Sequence, residues 1–199
     1  MIVDTSSSRV SRMQKKWDQS GWIRGIRHYP SPNFNERPQG CPIDLVVIHS
    51  ISLPPDDFSS DDVIDFFQNK LDCTKSPFYQ NLIGVKVSAH FFIKRDGEMI
   101  QFVSTIDRAW HAGVSAFDGR DNCNDYSIGI ELEGCDTMPF EKPQYQALSE
   151  LLQMIMDAYP QVTQARVVSH AEIALPPGRK TDPGPYFDWN NLWSIDAKR

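Results

Sequence analysis

Apolar and polar residues along the chain follow two rhythms, and each predicts a different element. IDLVVIHS (43–50) is a continuous apolar run ending in a polar tip, the pattern of a strand buried on both faces. SIGIELEG (127–134) alternates instead, placing Ile128, Ile130 and Leu132 on one face and Gly129, Glu131 and Glu133 on the other. VSAHFFIKRDGEMIQFVS (87–104) holds two strand-like runs around Asp96-Gly97, a hairpin signal, and ARVVSH (165–170) is a short strand ending in histidine. The helical rhythm is clearest over 142–160, where Tyr145, Leu148, Leu151, Leu152, Ile155 and Met156 form a stripe and Pro160 follows its end. A second helix is predicted over 59–71, with a serine and aspartate start and Val63, Phe66, Phe67 and Leu71 at helical spacing. Between 28 and 42, Pro30, Pro32, Pro38 and Pro42 predict an extended surface segment.

Strands interspersed with helices predict an α/β, mixed α+β domain: a central mixed β-sheet covered by helices. Residues 1–20 lack apolar periodicity and are expected to form a flexible or loosely docked N-terminal extension, leaving 21–199 as the domain. A chain of 199 residues with 40% hydrophobic content suits one sizeable core. The net charge of -6 argues against nucleic acid or an anionic membrane as partner, and a monomer is the default expectation. No apolar run approaches the roughly 18 residues of a membrane span, and the start lacks the apolar stretch of a secretory signal, so the cytoplasm is the expected compartment. The four cysteines form no CxxC pair, which predicts reduced thiols rather than a cysteine metal knuckle or a disulfide framework.

Chemistry is concentrated at strand ends. Of five histidines, His49 and His170 each stand at the carboxyl end of an apolar strand, so neighbouring strands would bring both imidazoles to one rim. A catalytic zinc site takes three protein ligands and leaves one position open. The proline-stiffened loop after His170 returns an acidic side chain, Asp182, held before Pro183-Gly184. His90, inside an apolar run, is expected as a core or supporting histidine. On the alternating strand, Glu131 and Glu133 are both candidate bases, with Gly129 expected to leave room for substrate.

VVIHSISLPP (46–55), VSAHFFIKRDG (87–97), AWHAGVS (109–115), NDYSIGIELEG (124–134) and SHAEIALPPGRKTDPGP (169–185) occur in order. Together they resemble the zinc-dependent N-acetylmuramoyl-L-alanine amidases, in particular the cytoplasmic AmpD-type enzymes of bacterial cell-wall recycling. The resemblance spans roughly residues 20 to 195. It implies one zinc per chain on His49, His170 and Asp182, and selects Glu131 over Glu133 as general base. It implies that Lys180 stabilises the oxyanion, and that Trp110 and His111 line the groove, with Ser50 and Lys86 as further substrate contacts. The implied substrate is a soluble 1,6-anhydro-muropeptide, cut between the lactyl group of its muramic acid and L-alanine.

Ser50 stands where that family usually has asparagine, Lys86 and Asn122 where arginine is common, and the loop from His170 to Asp182 is about two residues longer. These departures bear on stem-peptide recognition, because lysine lacks the bidentate fork of arginine. Two alternatives accompany the main reading: a non-catalytic peptidoglycan-binding module, which would lack a metal ligand, and an amidase acting on intact wall. The segment 59–85 is either a fixed cover on the sheet or a lid that moves over the metal site.

Overall fold

The chain is described as a computed structural model covering residues 16–194. Six strands form the central sheet: β1 (Arg27–His28), β2 (Leu45–Ile51), β3 (Phe91–Ile93), β4 (Met99–Gln101), β5 (Ser127–Glu133) and β6 (Val167–Ser169), in the order β6-β2-β5-β3-β4-β1. The β3–β4 pair is antiparallel and the other pairings are parallel. The mixed sheet read from the pattern is therefore the observed one. The hairpin turns where expected, with Gly97 at φ +87, a left-handed value that glycine adopts without strain.

Among the described residues four α-helices accompany the sheet: α1 (Asp62–Phe67), α2 (Lys142–Ala158), α3 (His170–Ile173) and α4 (Trp189–Ser194). The α2 stripe of Tyr145, Leu148, Leu151, Leu152 and Ile155 packs on Val46, Ile48, Phe91, Ile93, Ile128, Ile130 and Leu132, forming the main core. Gln144 ties the start of this helix to the sheet. Its Oε1 accepts the Glu141 N–H at 2.9 Å, and its Nε2 donates to the Glu133 carbonyl at 3.0 Å. Among the described residues no helix is long and apolar enough to cross a membrane.

One expectation is sharpened and another needs correction. Residues 1–15 lie outside the described residues, but Lys16–Trp17 pairs with Ile23–Arg24, and the Trp17 indole donates to the Met154 carbonyl at 3.1 Å while packing edge-on against Phe91. Residues 16 and 17 are thus docked, through one half-buried tryptophan packed on α2 without any local periodicity. The helix expected over 59–71 spans only Asp62–Phe67, and the chain turns away where Asn69 adopts φ +59.

That turn has a partner. Asn69 and Asn33 exchange side-chain amide hydrogen bonds at 2.9 and 3.0 Å, joining this segment to the proline-rich stretch. Further on, Tyr79 is buried and donates to Asp62, which also binds Lys75, each at 2.8 Å. Phe66, Phe67 and Tyr79 share a core with Phe92, Ile100 and Phe102. This packing anchors Val63 to Phe67 and Tyr79 to the sheet, while Phe78, Ile83 and Val85 between and beyond them are exposed.

Candidate active site

The site is built where the parallel strands end. Strand β2 pairs with β5 so that His49 lies beside Glu131, and β6 runs on the other side of β2 with Ser169 opposite Ile48. His170 follows as the first residue of α3. Ser169 caps that helix, its hydroxyl accepting the Glu172 N–H at 3.1 Å while the Glu172 carboxylate accepts the Ser169 N–H at 2.7 Å. The loop then returns: the Asp182 carbonyl accepts the Ala171 N–H at 3.1 Å, and Arg179 holds the loop by donating to the carbonyls of Leu175 and Val114, both at 2.8 Å.

The three side chains meet in a tight triangle. His49 Nδ1 lies 3.0 Å from His170 Nδ1 and 3.1 Å from Asp182 Oδ2, and His170 Nδ1 lies 3.0 Å from the same oxygen. Both imidazoles are almost fully buried, and Asp182 is 15% exposed. Burial holds the His49 pKa down at about 4, so the ring is neutral at pH 7, as a ligand must be. His170 Nε2 faces the Ala112 carbonyl at 3.1 Å; a carbonyl only accepts, so Nε2 donates there and Nδ1 is the nitrogen turned toward Asp182, the one that a neutral ring would offer to a metal. A nitrogen and a carboxylate oxygen 3.0 Å apart need a positive centre between them, which either a proton or a metal ion supplies. These residues therefore fit a metal ion, and among the described residues they form the group able to hold one.

Glu131 stands beside this triangle with its Oε2 buried and, among the described residues, without a hydrogen-bond partner. Burial pushes its carboxyl well above the usual range, the Asp182 charge adds to that, and Lys180 opposes it. Glu133, two residues on, is engaged within the protein instead. Its Oε2 accepts the Arg95 N–H at 2.8 Å and anchors the β3–β4 turn. An open cavity of about 480 Å³ extends from the triangle, lined by Ser50, Trp110, His111, Glu131 and Lys180. Phe78, Leu82, Val85 and Val87 form its apolar wall.

The Trp110 indole donates to Asn35 Oδ1 at 2.7 Å, which fixes its plane. Lys180 is exposed at the rim. Lys86 is exposed and does not line the cavity, although its neighbours Val85 and Val87 do. Asn122 is also outside the cavity lining and takes φ +56, a left-handed conformation that asparagine tolerates better than arginine. The room expected for substrate at Gly129 is filled: a Cβ there would meet His111 Cγ at 2.5 Å, so the glycine makes space for the histidine ring. His90 supports the sheet, its Nδ1 accepting the Gly129 N–H at 3.0 Å.

Two contributors escaped the sequence reading. Asn124 Oδ1 accepts the N–H groups of His111 and Ala112 at 3.1 and 2.8 Å, clamping the AWHAG turn. Arg37 donates to the carbonyls of Asn124, Asp125 and Ser127 at 2.9 to 3.0 Å. Burial lowers its pKa to about 10 and leaves it charged at neutral pH. Neither residue sits in an apolar rhythm, so only the spatial return of distant segments reveals it.

A cavity at the strand ends, three convergent side chains able to hold a metal ion, and a buried carboxylate oxygen without a partner among the described residues fit the class of metal-dependent hydrolases. The N-acetylmuramoyl-L-alanine amidase family model matches residues 39–185, and the chain belongs to that family, among its AmpD-type members. It is 48% identical over 176 residues to the 1,6-anhydro-N-acetylmuramyl-L-alanine amidase AmpD of Haemophilus influenzae, covering 88% of this chain and 95% of that protein. A crystal structure of an AmpD derivative superposes with a TM-score of 0.86 at 40% identity, covering 90% of this chain and 99% of the other. The amidase AmiD of Escherichia coli, solved with the substrate anhydro-N-acetylmuramic acid-L-Ala-D-γ-Glu-L-Lys, matches with a TM-score of 0.57 at 30% identity, over 82% of this chain and 66% of that one.

Proposed function

We propose that this chain hydrolyses the amide joining the lactyl group of 1,6-anhydro-N-acetylmuramic acid to L-alanine in soluble muropeptides, in the cytoplasm, with one zinc ion on His49, His170 and Asp182. The observation that carries the reading is the ligand triangle beside a buried, unpartnered Glu131 Oε2. Two nitrogens and one carboxylate oxygen suit zinc and leave its centre net positive. Zinc bound there supplies Lewis acidity, acidifying water and polarising the scissile carbonyl.

The remaining work falls to the chain's own side chains. Glu131 takes a proton from the attacking water and passes it to the leaving amine of L-alanine. The apolar wall and burial around its carboxyl favour this role, because a base with a raised pKa gives up its proton less readily to bulk water. Lys180 supplies positive charge to the oxygen that becomes negative when the carbonyl is attacked. Trp110, fixed by Asn35, offers a flat apolar surface to the sugar or peptide. Ser50 adds a hydroxyl to the same cavity.

Replacing Glu131 by glutamine removes the base and keeps every ligand. Glu131→Gln is expected to bind zinc at wild-type stoichiometry and to lose roughly a hundredfold to ten-thousandfold in turnover of an anhydro-muropeptide. Near wild-type turnover would assign the proton transfer elsewhere. Assaying the wild type on intact sacculi beside the soluble substrate tests the substrate class; faster release from sacculi would favour a wall-degrading enzyme.

A further inference from the structure

A buried chain of hydrogen bonds takes its direction from its end, because a terminal group that only accepts dictates where each earlier proton lies. Such a chain runs from the ligand triangle into the protein. His49 Nε2 lies 3.0 Å from His111 Nδ1, His111 Nε2 lies 3.2 Å from Ser127 Oγ, and Ser127 Oγ lies 2.6 Å from the Cys123 carbonyl. The carbonyl has no proton, so the Ser127 hydroxyl donates to it. With its one proton committed there, Ser127 Oγ accepts from His111, which makes Nε2 the protonated nitrogen of that ring. His111 Nδ1 is then a lone pair and accepts from His49 Nε2–H. The result is a bare His49 Nδ1 facing Asp182 and His170.

We propose that His111 is a positioning residue for the metal site: with Ser127 it holds His49 in the one tautomer that presents Nδ1 to a metal. The ring borders the cavity, but both its nitrogens are engaged within the protein, so neither is available to hydrogen-bond substrate. Its placement is tightly determined. Asn124 clamps its backbone, Gly129 makes room for its ring, and the His49 and His111 rings meet edge to face at 5.1 Å between centroids. His170 reaches the matching tautomer more directly, through the Ala112 carbonyl. The two histidine ligands are thus oriented by different means, one by a backbone carbonyl and the other by a side-chain relay ending on one.

The inference rests on the zinc reading above, and its test uses zinc affinity in competition with a chromogenic chelator, without substrate. His111→Phe removes the acceptor while filling the space against Gly129, and is expected to weaken zinc binding roughly 10- to 100-fold. His111→Asn places an amide oxygen where Nδ1 stood and is expected to recover most of that loss. Ser127→Ala, which frees the direction of the relay without deleting it, is expected to fall between the phenylalanine variant and the wild type. A packing role predicts the reverse, since phenylalanine preserves volume and asparagine does not. His111→Phe within twofold of wild type, or His111→Asn weaker than His111→Phe, overturns the proposal.

A second measurement needs no variant to fold. Nitrogen-15 NMR of the zinc-loaded wild type should show His49 and His111 protonated on Nε2, and a proton on His111 Nδ1 overturns the relay. Failure of the zinc reading would look different: the wild type itself would take up no zinc, and the proposal would fall with it.

Discussion

The two faces of the central sheet are made by the same strands and do opposite things. Toward α2, Val46, Ile48, Ile128, Ile130 and Leu132 form an unbroken apolar layer, each buried side chain contributing about 1.5 to 3 kcal/mol relative to exposure. One residue along in each strand, the other face carries His49 on β2 and Ser127, Gly129, Glu131 and Glu133 on β5. A strand alternates its side chains, so stability and chemistry are separated by a single step along the chain. A slip of one residue in register would exchange them, which ties the ligand geometry to the packing of α2. The polar face also shows how buried polarity is managed. Apart from His49 Nδ1, turned toward the proposed metal, its groups are satisfied link by link, through carbonyls, amides and the histidine relay, and among the described residues of that face Glu131 Oε2 is left over. The place where hydrogen-bond accounting leaves a remainder is the place where a proton must be moved.

Damage to each face should therefore read out differently. The largest effect is the loss of turnover in Glu131→Gln, accompanied by unchanged or higher thermal stability, because an unpartnered buried carboxyl gives way to a neutral amide. Leu151→Ala breaks the opposite face. It should cost about 2 to 5 kcal/mol in denaturant unfolding while zinc stoichiometry stays at one. A clear loss of zinc by that variant under native conditions would show that the faces are not separable. Gly129→Ala acts between the two. Its φ is not left-handed, so the penalty comes from the Cβ meeting the His111 ring, about 1 to 3 kcal/mol, together with weaker zinc binding. Stability loss without a change in zinc affinity would detach His111 from the metal site.

Much of this arrangement is legible in the amino-acid sequence. The alternation at 127–133 separated the faces, the apolar stripe gave α2 nearly to its ends, and two histidines closing two apolar strands pointed to one rim. What the pattern could not supply was the contents of the space around those residues. Gly129 reads as an opening in one dimension, and only the return of the AWHAG turn shows that an imidazole fills it. Trp17 and Asn69 failed for a related reason: the first is a lone aromatic whose partner lies more than a hundred residues away, the second ends a helix that Leu71 would have prolonged by periodicity alone. Lys86, taken as a contact from the resemblance, lies outside the cavity lining while Val85 and Val87 line it, and a lysine between two valines does not disclose which of the three faces a groove.

The smallest expected effect separates the two glutamates of the polar face. Glu133 is almost fully buried; that burial raises its pKa above 4.5, while the Arg95 N–H and the charges of Lys94 and Arg95 work the other way. A carboxyl whose folded pKa is raised binds its proton more tightly in the folded state than in the unfolded chain. Its contribution to stability is therefore fully present below about pH 4.5 and is lost as pH rises through the folded value. Glutamine at this position can still accept the Arg95 N–H and does not ionise. Glu133→Gln should thus leave turnover and zinc affinity unchanged and abolish that part of the stability loss seen on raising the pH from about 4 to about 7. Thermal unfolding of both proteins across this window measures the difference. A wild type that gains stability relative to Glu133→Gln as pH rises would mean that the Arg95 contact and the neighbouring cations outweigh burial, and that Glu133 belongs with the ion pairs of the surface rather than with Glu131.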